Sequence, residues 1–149
     1  MDNVSEKHLQ LGQLIARGVA RHLTSLGFTS LEEFVPARGL RVDVMALGPK
    51  GELWIIECKS SRADFASDGK WENYLEWADR FFWAVDESFP IDILPLEHGL
   101  FVGDAYDAEI IRDTPLSVLA PARRKTLIQK FATQAAKRLH RLRDLGCVG

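Results

Sequence analysis

Cysteine is almost absent: the 149 residues contain two, Cys58 and Cys147. So small a number excludes a disulfide framework, and the expectation is a chain of the reducing cytoplasm. No paired Cys/His spacing suggests zinc, because His8, His22, His98 and His140 are scattered. No apolar run approaches the roughly 18 residues a membrane span requires. The opening MDNVSEKHLQ has no continuous apolar stretch, so a secretory signal is not expected. Internal repeats and low-complexity segments are missing too.

What is present is an ordinary globular composition, 46% hydrophobic and 27% charged. The length suits one domain spanning 1–149. The net charge of −2 does not announce a polyanion binder, but it hides an asymmetry. Residues 120–149 carry eight basic groups against the single acid Asp144, a balance of +7, which leaves −9 on residues 1–119. Such a division suggests two surfaces with different partners.

Leu11, Leu14, Ile15, Val19 and Leu23 recur at helical spacing, which predicts a helix over 5–25 stopped by Gly27. TSLEEFVPARG reads as a short extended segment. RVDVMAL and ELWIIECKS, broken by GPKG, read as a β-hairpin. Ser67 is placed to cap a helix over 68–80. FFWAVD and GLFVGD have the continuous apolar character of inner strands, and EIIRD suits an edge strand. Pro121 opens a long helix to about Leu145. The expected fold is α/β: a central mixed sheet, with the hairpin carrying the site, flanked by helices.

The site is legible in LWIIECKSS. Glu57 and Lys59 interrupt an apolar strand, where charge is costly unless it is paired or bound to a metal. Residues two apart share a strand face, so Glu57 and Lys59 point one way and Cys58 the other. Pro49-Lys50-Gly51 suits a three-residue hairpin loop with glycine in the left-handed position. That loop sets 47 against 53 and Asp43 against Glu57; a two-residue loop would turn the two acids to opposite faces. Like charges directly across strands repel. A divalent cation, Mg²⁺ or Mn²⁺, removes the conflict, lowers the pKa of a bound water and screens a phosphate. A lysine beside it can orient or deprotonate the attacking water, or stabilise charge as it develops.

Asp43, thirteen residues, then Glu57-Cys58-Lys59 resembles the D-x(n)-E-x-K core of the PD-(D/E)xK superfamily, with Val42 where the name-giving proline would stand. The run RVDVMAL, ECKSS..DF..D.KW..Y, FFWAV and APARR resembles, across most of the chain, the MmcB family of DNA-repair-associated proteins within that superfamily. The resemblance implies a restriction-endonuclease-like fold and a metal-dependent nuclease or a catalytically silent DNA-binding or repair-complex module. It also implies metal on Asp43 and Glu57, a catalytic Lys59, and DNA as the partner, damaged or branched. Many superfamily members add a glutamate before the hairpin; Glu32 and Glu33 both qualify, with Glu33 preferred and Glu6 a lesser substitute. Asp68 reads as a helix cap, and Ser60 and Ser61 as turn residues. Lys70, with Trp71 and Tyr74 beside it, lies near the site; core packing is the commoner fate of those aromatics. On a helical wheel, Ile128, Phe131, Ala132, Ala135, Leu139 and Leu142 form a docking stripe. Arg123, Lys130, Lys137 and Arg141 form an opposite ridge suited to DNA phosphates. A repair-protein partner and a two-fold dimer are both compatible with this reading; a membrane is not.

Overall fold

The computed structural model describes residues 3–144 and 146, with side chains from Gln10 onward. Helix α1 (Asn3–Ser25) leads into strands β1 (Thr29–Phe34), β2 (Val42–Leu47) and β3 (Leu53–Cys58). A short helix α2 (Arg62–Ser67) and a 3₁₀ segment (Trp71–Trp77) cross to β4 (Arg80–Val85). A 3₁₀ turn (Ile91–Ile93), β5 (Gly99–Gly103), β6 (Ala108–Arg112) and helix α3 (Pro121–Arg143) follow. The strands form one sheet in the order β1-β2-β3-β4-β5-β6. The β3–β4 and β4–β5 pairs are parallel and the others antiparallel, so the fold is mixed α/β.

Side-chain alternation sorts the core into two layers. Val44, Ala46, Ile56, Phe82, Ala84 and Phe101 face the α1 stripe of Ile15, Val19 and Leu23. Met45, Leu53, Ile55, Phe81, Trp83 and Val85 face the other way, against Tyr74 and the α3 residues Leu127 and Phe131. β3 and β4 are covered on both sides, which is why both read as unbroken apolar runs. Gly27, at φ 83°, turns the chain out of α1.

The hairpin has the three-residue loop. Gly51 stands at φ 86°, Gly48 N donates to Glu52 O at 2.8 Å, and Leu47 opposes Leu53.

Two expectations are corrected. The helix over 68–80 is replaced by α2 and the 3₁₀ segment. Ser61 caps α2 by accepting from Asp64 N at 3.1 Å, which starts the helix early. It ends at Asp68-Gly69, where the Asp68 carboxylate accepts from Lys70 N and Trp71 N and redirects the chain. The docking stripe of α3 is also rotated. Leu127 and Phe131 are buried, whereas Leu139 and Leu142 are 56% and 76% exposed and Ala132 is exposed. Hydrogen bonds set this rotation: Arg124 to Gly51 O, Lys130 to Pro36 O, Gln134 to both main-chain polar groups of Val35, and Arg138 to Glu32 O and Glu33 O. Long basic side chains lay their stems on the body and spend their heads on main-chain carbonyls. From Leu139 to Asp144 every residue is exposed, so the end of α3 has left the body. The expected end near Leu145 lies outside the described residues.

Candidate functional site

Asp43 is second in β2 and Glu57 next to last in β3, one step beyond the paired Val44 and Ile56. Each carboxylate reaches across to the other strand. Asp43 N donates to Glu57 Oε1 at 2.9 Å, and Cys58 N donates to Asp43 Oδ2 at 2.8 Å. The two carboxyl groups also hydrogen-bond to each other, which requires a proton on one of them. Glu57 is only 4% exposed. Burial, and then the Asp43 charge beside it, push its carboxyl well above the usual carboxylate range. Burial raises Asp43 too, against the opposing pull of the Cys58 N–H.

Lys59 is carried past the end of β3 by a hydrogen bond from its N to Ala84 O at 2.9 Å, and is 6% exposed. Its ammonium lies 2.7 Å from Asp68 Oδ2 and 3.9 Å from Asp64 Oδ1. Burial works against that charge, but the Asp68 hydrogen bond and the nearby acids outweigh it and raise the lysine above its ordinary value. Burial likewise opposes the Asp68 charge, and the Lys59 contact with the Lys70 N–H prevails, holding Asp68 below the usual range. Asp68 thus joins capping to an ion pair, and the second role has no signature in sequence spacing. Tyr74, buried in the 3₁₀ segment, is close enough that the charges of Glu57, Asp68 and Asp43, after burial, raise its hydroxyl. Trp71 packs edge-on to Trp83, ring centroids 5.1 Å apart, as a core aromatic.

The remaining sequence candidates are more scattered. Glu33 is exposed at φ 51°; its side chain makes no hydrogen bond, and only its carbonyl is used, by Arg138. Glu32 is exposed on β1; burial, then the Asp43 and Glu57 charges, push the Cys58 thiol up, and the Glu32 charge adds less than these. The side chain of Glu6 lies outside the described residues. Lys70 is exposed beside Asp68. Lys137 is exposed and Arg141 stands on the projecting part of α3, but Lys130 is half-buried with its ammonium on Pro36 O at 2.8 Å. Arg123 stacks over Trp77 at 4.1 Å and pairs with Glu76. These last two contacts dissolve the expected ridge.

Sequence reasoning missed Asp79. It is 3% exposed, accepts from Leu53 N and Leu119 N, and takes both Arg124 nitrogens at 2.6 Å. A lone acid just before FFWAV was the available signal. A pocket of about 340 Å³ between Lys50, Trp54 and this pair holds no residue of the Asp43–Glu57–Lys59 group.

The donor chemistry of the acid pair suits a hard divalent cation. Buried Glu57 and half-buried Asp43 lie side by side, and Mg²⁺ takes one or two carboxylates while keeping several waters. Among the described residues no cluster of three His, Cys, Asp or Glu side chains adds a third protein donor. No described helix is long and apolar enough to cross a membrane.

Fold and site together define a mixed α/β domain whose sheet presents an acid pair and a buried lysine. The family model for DNA repair protein MmcB-like matches residues 3–146, and the chain belongs to this family. Among solved structures it is similar to SPO1766, a protein of unknown function from Silicibacter pomeroyi. The two share 69% identity at a TM-score of 0.91, over 94% of this chain and 96% of that one. No curated protein matches.

Proposed function

We propose that this protein is a DNA-repair nuclease of the PD-(D/E)xK, restriction-endonuclease-like type, hydrolysing DNA phosphodiesters with Mg²⁺ or Mn²⁺ in the cytoplasm. The single observation that carries the reading is the cross-strand meeting of Asp43 and Glu57 on one sheet face. Asp43 and Glu57 would hold the cation, which supplies charge neutralisation and a more acidic water when bound. Lys59, kept as an ammonium, would stabilise the charge that builds on the phosphate. The exposed Lys70, Lys137 and Arg141 would take DNA backbone contacts, which position the duplex without reading its sequence. Membership in a DNA repair family supports DNA as the partner, with damaged or branched forms the substrates of choice. A repair-protein partner or a second copy would supplement a body whose net charge resists tight binding to DNA alone.

The test is a Mn²⁺-dependent cleavage panel of single-stranded, nicked, flapped and branched DNA, run on wild type and Lys59→Ala. Cleavage by wild type and its loss in the variant support the proposal. Cleavage surviving in the variant overturns it. One observation favours a second reading, a catalytically silent DNA-structure-binding module: the Lys59 ammonium is already neutralised by Asp68. Binding to branched DNA with no cleavage by either protein would select that reading.

A further inference from the structure

Lys59 is buried yet charged, and Asp68 supplies its counter-ion. The side chain of Asp68 is 11% exposed. Its Oδ1 accepts from Lys70 N at 2.9 Å and Trp71 N at 3.1 Å, so the turn it stabilises fixes it in place. Its Oδ2 is thereby presented to the ammonium at 2.7 Å. Asp68 stands at the end of α2, a six-residue helix with no buried residue. That helix is held by Phe65, packed edge-on to Trp83 with ring centroids 5.2 Å apart, by the Lys59 pairs, and by Asp64 Oδ2, which accepts from Ser60 N at 3.0 Å.

We propose that Asp68 is an internal competitor for phosphate: its carboxylate occupies the anion seat on Lys59 that a substrate phosphate group would take. This rests on the reading of Lys59 as the group that meets phosphate. Carboxylate and phosphate oxygens offer an ammonium the same charge-assisted hydrogen bond. A buried ammonium stripped of its partner is strongly unfavourable, so Asp68 departs only as phosphate arrives. Because α2 buries no residue, the Asp68 side chain can swing off Lys59 without disturbing the sheet. Asp64, 3.9 Å away on the same helix, resists the incoming anion together with Asp68. The acidic lining therefore sets a threshold that stray anions do not cross and a well-positioned phosphate does.

The test reads the Lys59 side-chain ammonium by nitrogen-15 NMR on the full chain in excess Mg²⁺, with Lys59→Gln assigning the signal. Inorganic phosphate and a thymidine dinucleotide are titrated separately into wild type, Asp68→Asn and Asp68→Glu. Asparagine keeps the Oδ1 acceptor that the turn needs; Asp68→Ser, whose hydroxyl can serve the same turn, replaces it if Asp68→Asn does not fold. The expected result is a Lys59 response in the uncharged variant at a concentration about tenfold below that of wild type, with Asp68→Glu behaving as wild type. A response to either probe supports the competitor role, and the one that responds says whether the seat takes a diester or a terminal phosphate. Equal responses in wild type and the uncharged variant, or none in any protein, overturn it. Loss of DNA cleavage in otherwise intact protein bears on the nuclease reading and leaves this comparison standing.

Discussion

Glu57 stands beside Trp83 in a sheet that offers it the Asp43 N–H but no ion pair, since the Lys59 ammonium sits on Asp68 and acts on Glu57 only from a distance. Its raised proton affinity has a definite consequence for stability. The folded state keeps the proton to a higher pH than the unfolded chain, so stability declines as pH rises from the ordinary carboxylate range to the raised value. Glu57→Gln retains the Oε1 acceptor and removes that decline. It will melt higher than wild type at neutral pH, with the difference vanishing below the ordinary carboxylate range, as thermal melts across pH will show. Lys59→Ala will lower DNA cleavage about 10²–10³-fold by the usual cost of one transition-state electrostatic group, measured as turnover on the substrate preferred in the panel. Asp79 has the opposite sign. Its carboxyl is held low, against its burial, by Arg124 and by the N–H groups of Leu119 and Leu53, so it stabilises above the ordinary carboxylate range and loses that contribution as pH falls through the lowered value. Asp79→Ala leaves two main-chain donors unpaired and the half-buried guanidinium with Gly51 O alone, and will cost about 3 kcal/mol in urea unfolding at neutral pH.

At the scale of elements, the hairpin was the most legible feature because its chemistry is local. Pro49 and Gly51 select the loop, the loop selects the register, and the register brings Asp43 to Glu57. Gly51→Ala forces an L-residue to φ 86°, and will cost about 1–2 kcal/mol; chemical denaturation measures it. The inner strands were equally plain, since burial on both faces leaves no alternation to confuse. The crossover and α3 were not. A capping serine at 61 and one at 67 look alike in sequence, and only the partner at Asp64 N distinguishes them. The wheel on α3 failed because it counted apolar residues, whereas Arg124, Lys130, Gln134 and Arg138 dock through hydrogen bonds to the main chain. The Lys59–Asp68 pair was hidden for a related reason: the loop and helix of residues 60–67 decide which acid reaches the lysine, and no periodicity encodes that.

Across the whole molecule, the positive end of the chain is divided between structure and surface. Lys130 and Arg138 are consumed in holding the 32–36 segment, while Lys137 and Arg141 stand exposed where α3 leaves the body. Lys137→Gln with Arg141→Gln will weaken DNA binding alike for all sequences and flatten the slope of log K against log salt by about 0.9 per lost phosphate contact, nearly 2 in all. Lys130→Gln will instead lower the melting temperature with little change in slope. An unchanged slope in the double variant would assign the end of α3 to a protein partner. Everything proposed for this fold nonetheless converges on the two acids at the mouth of the hairpin. The most direct measurement is calorimetric titration of Mn²⁺ into wild type, Asp43→Asn and Glu57→Gln. Binding of one ion by wild type, and its loss or marked weakening in both variants, is the expected outcome; equal binding in all three would contradict the assignment of a metal to Asp43 and Glu57.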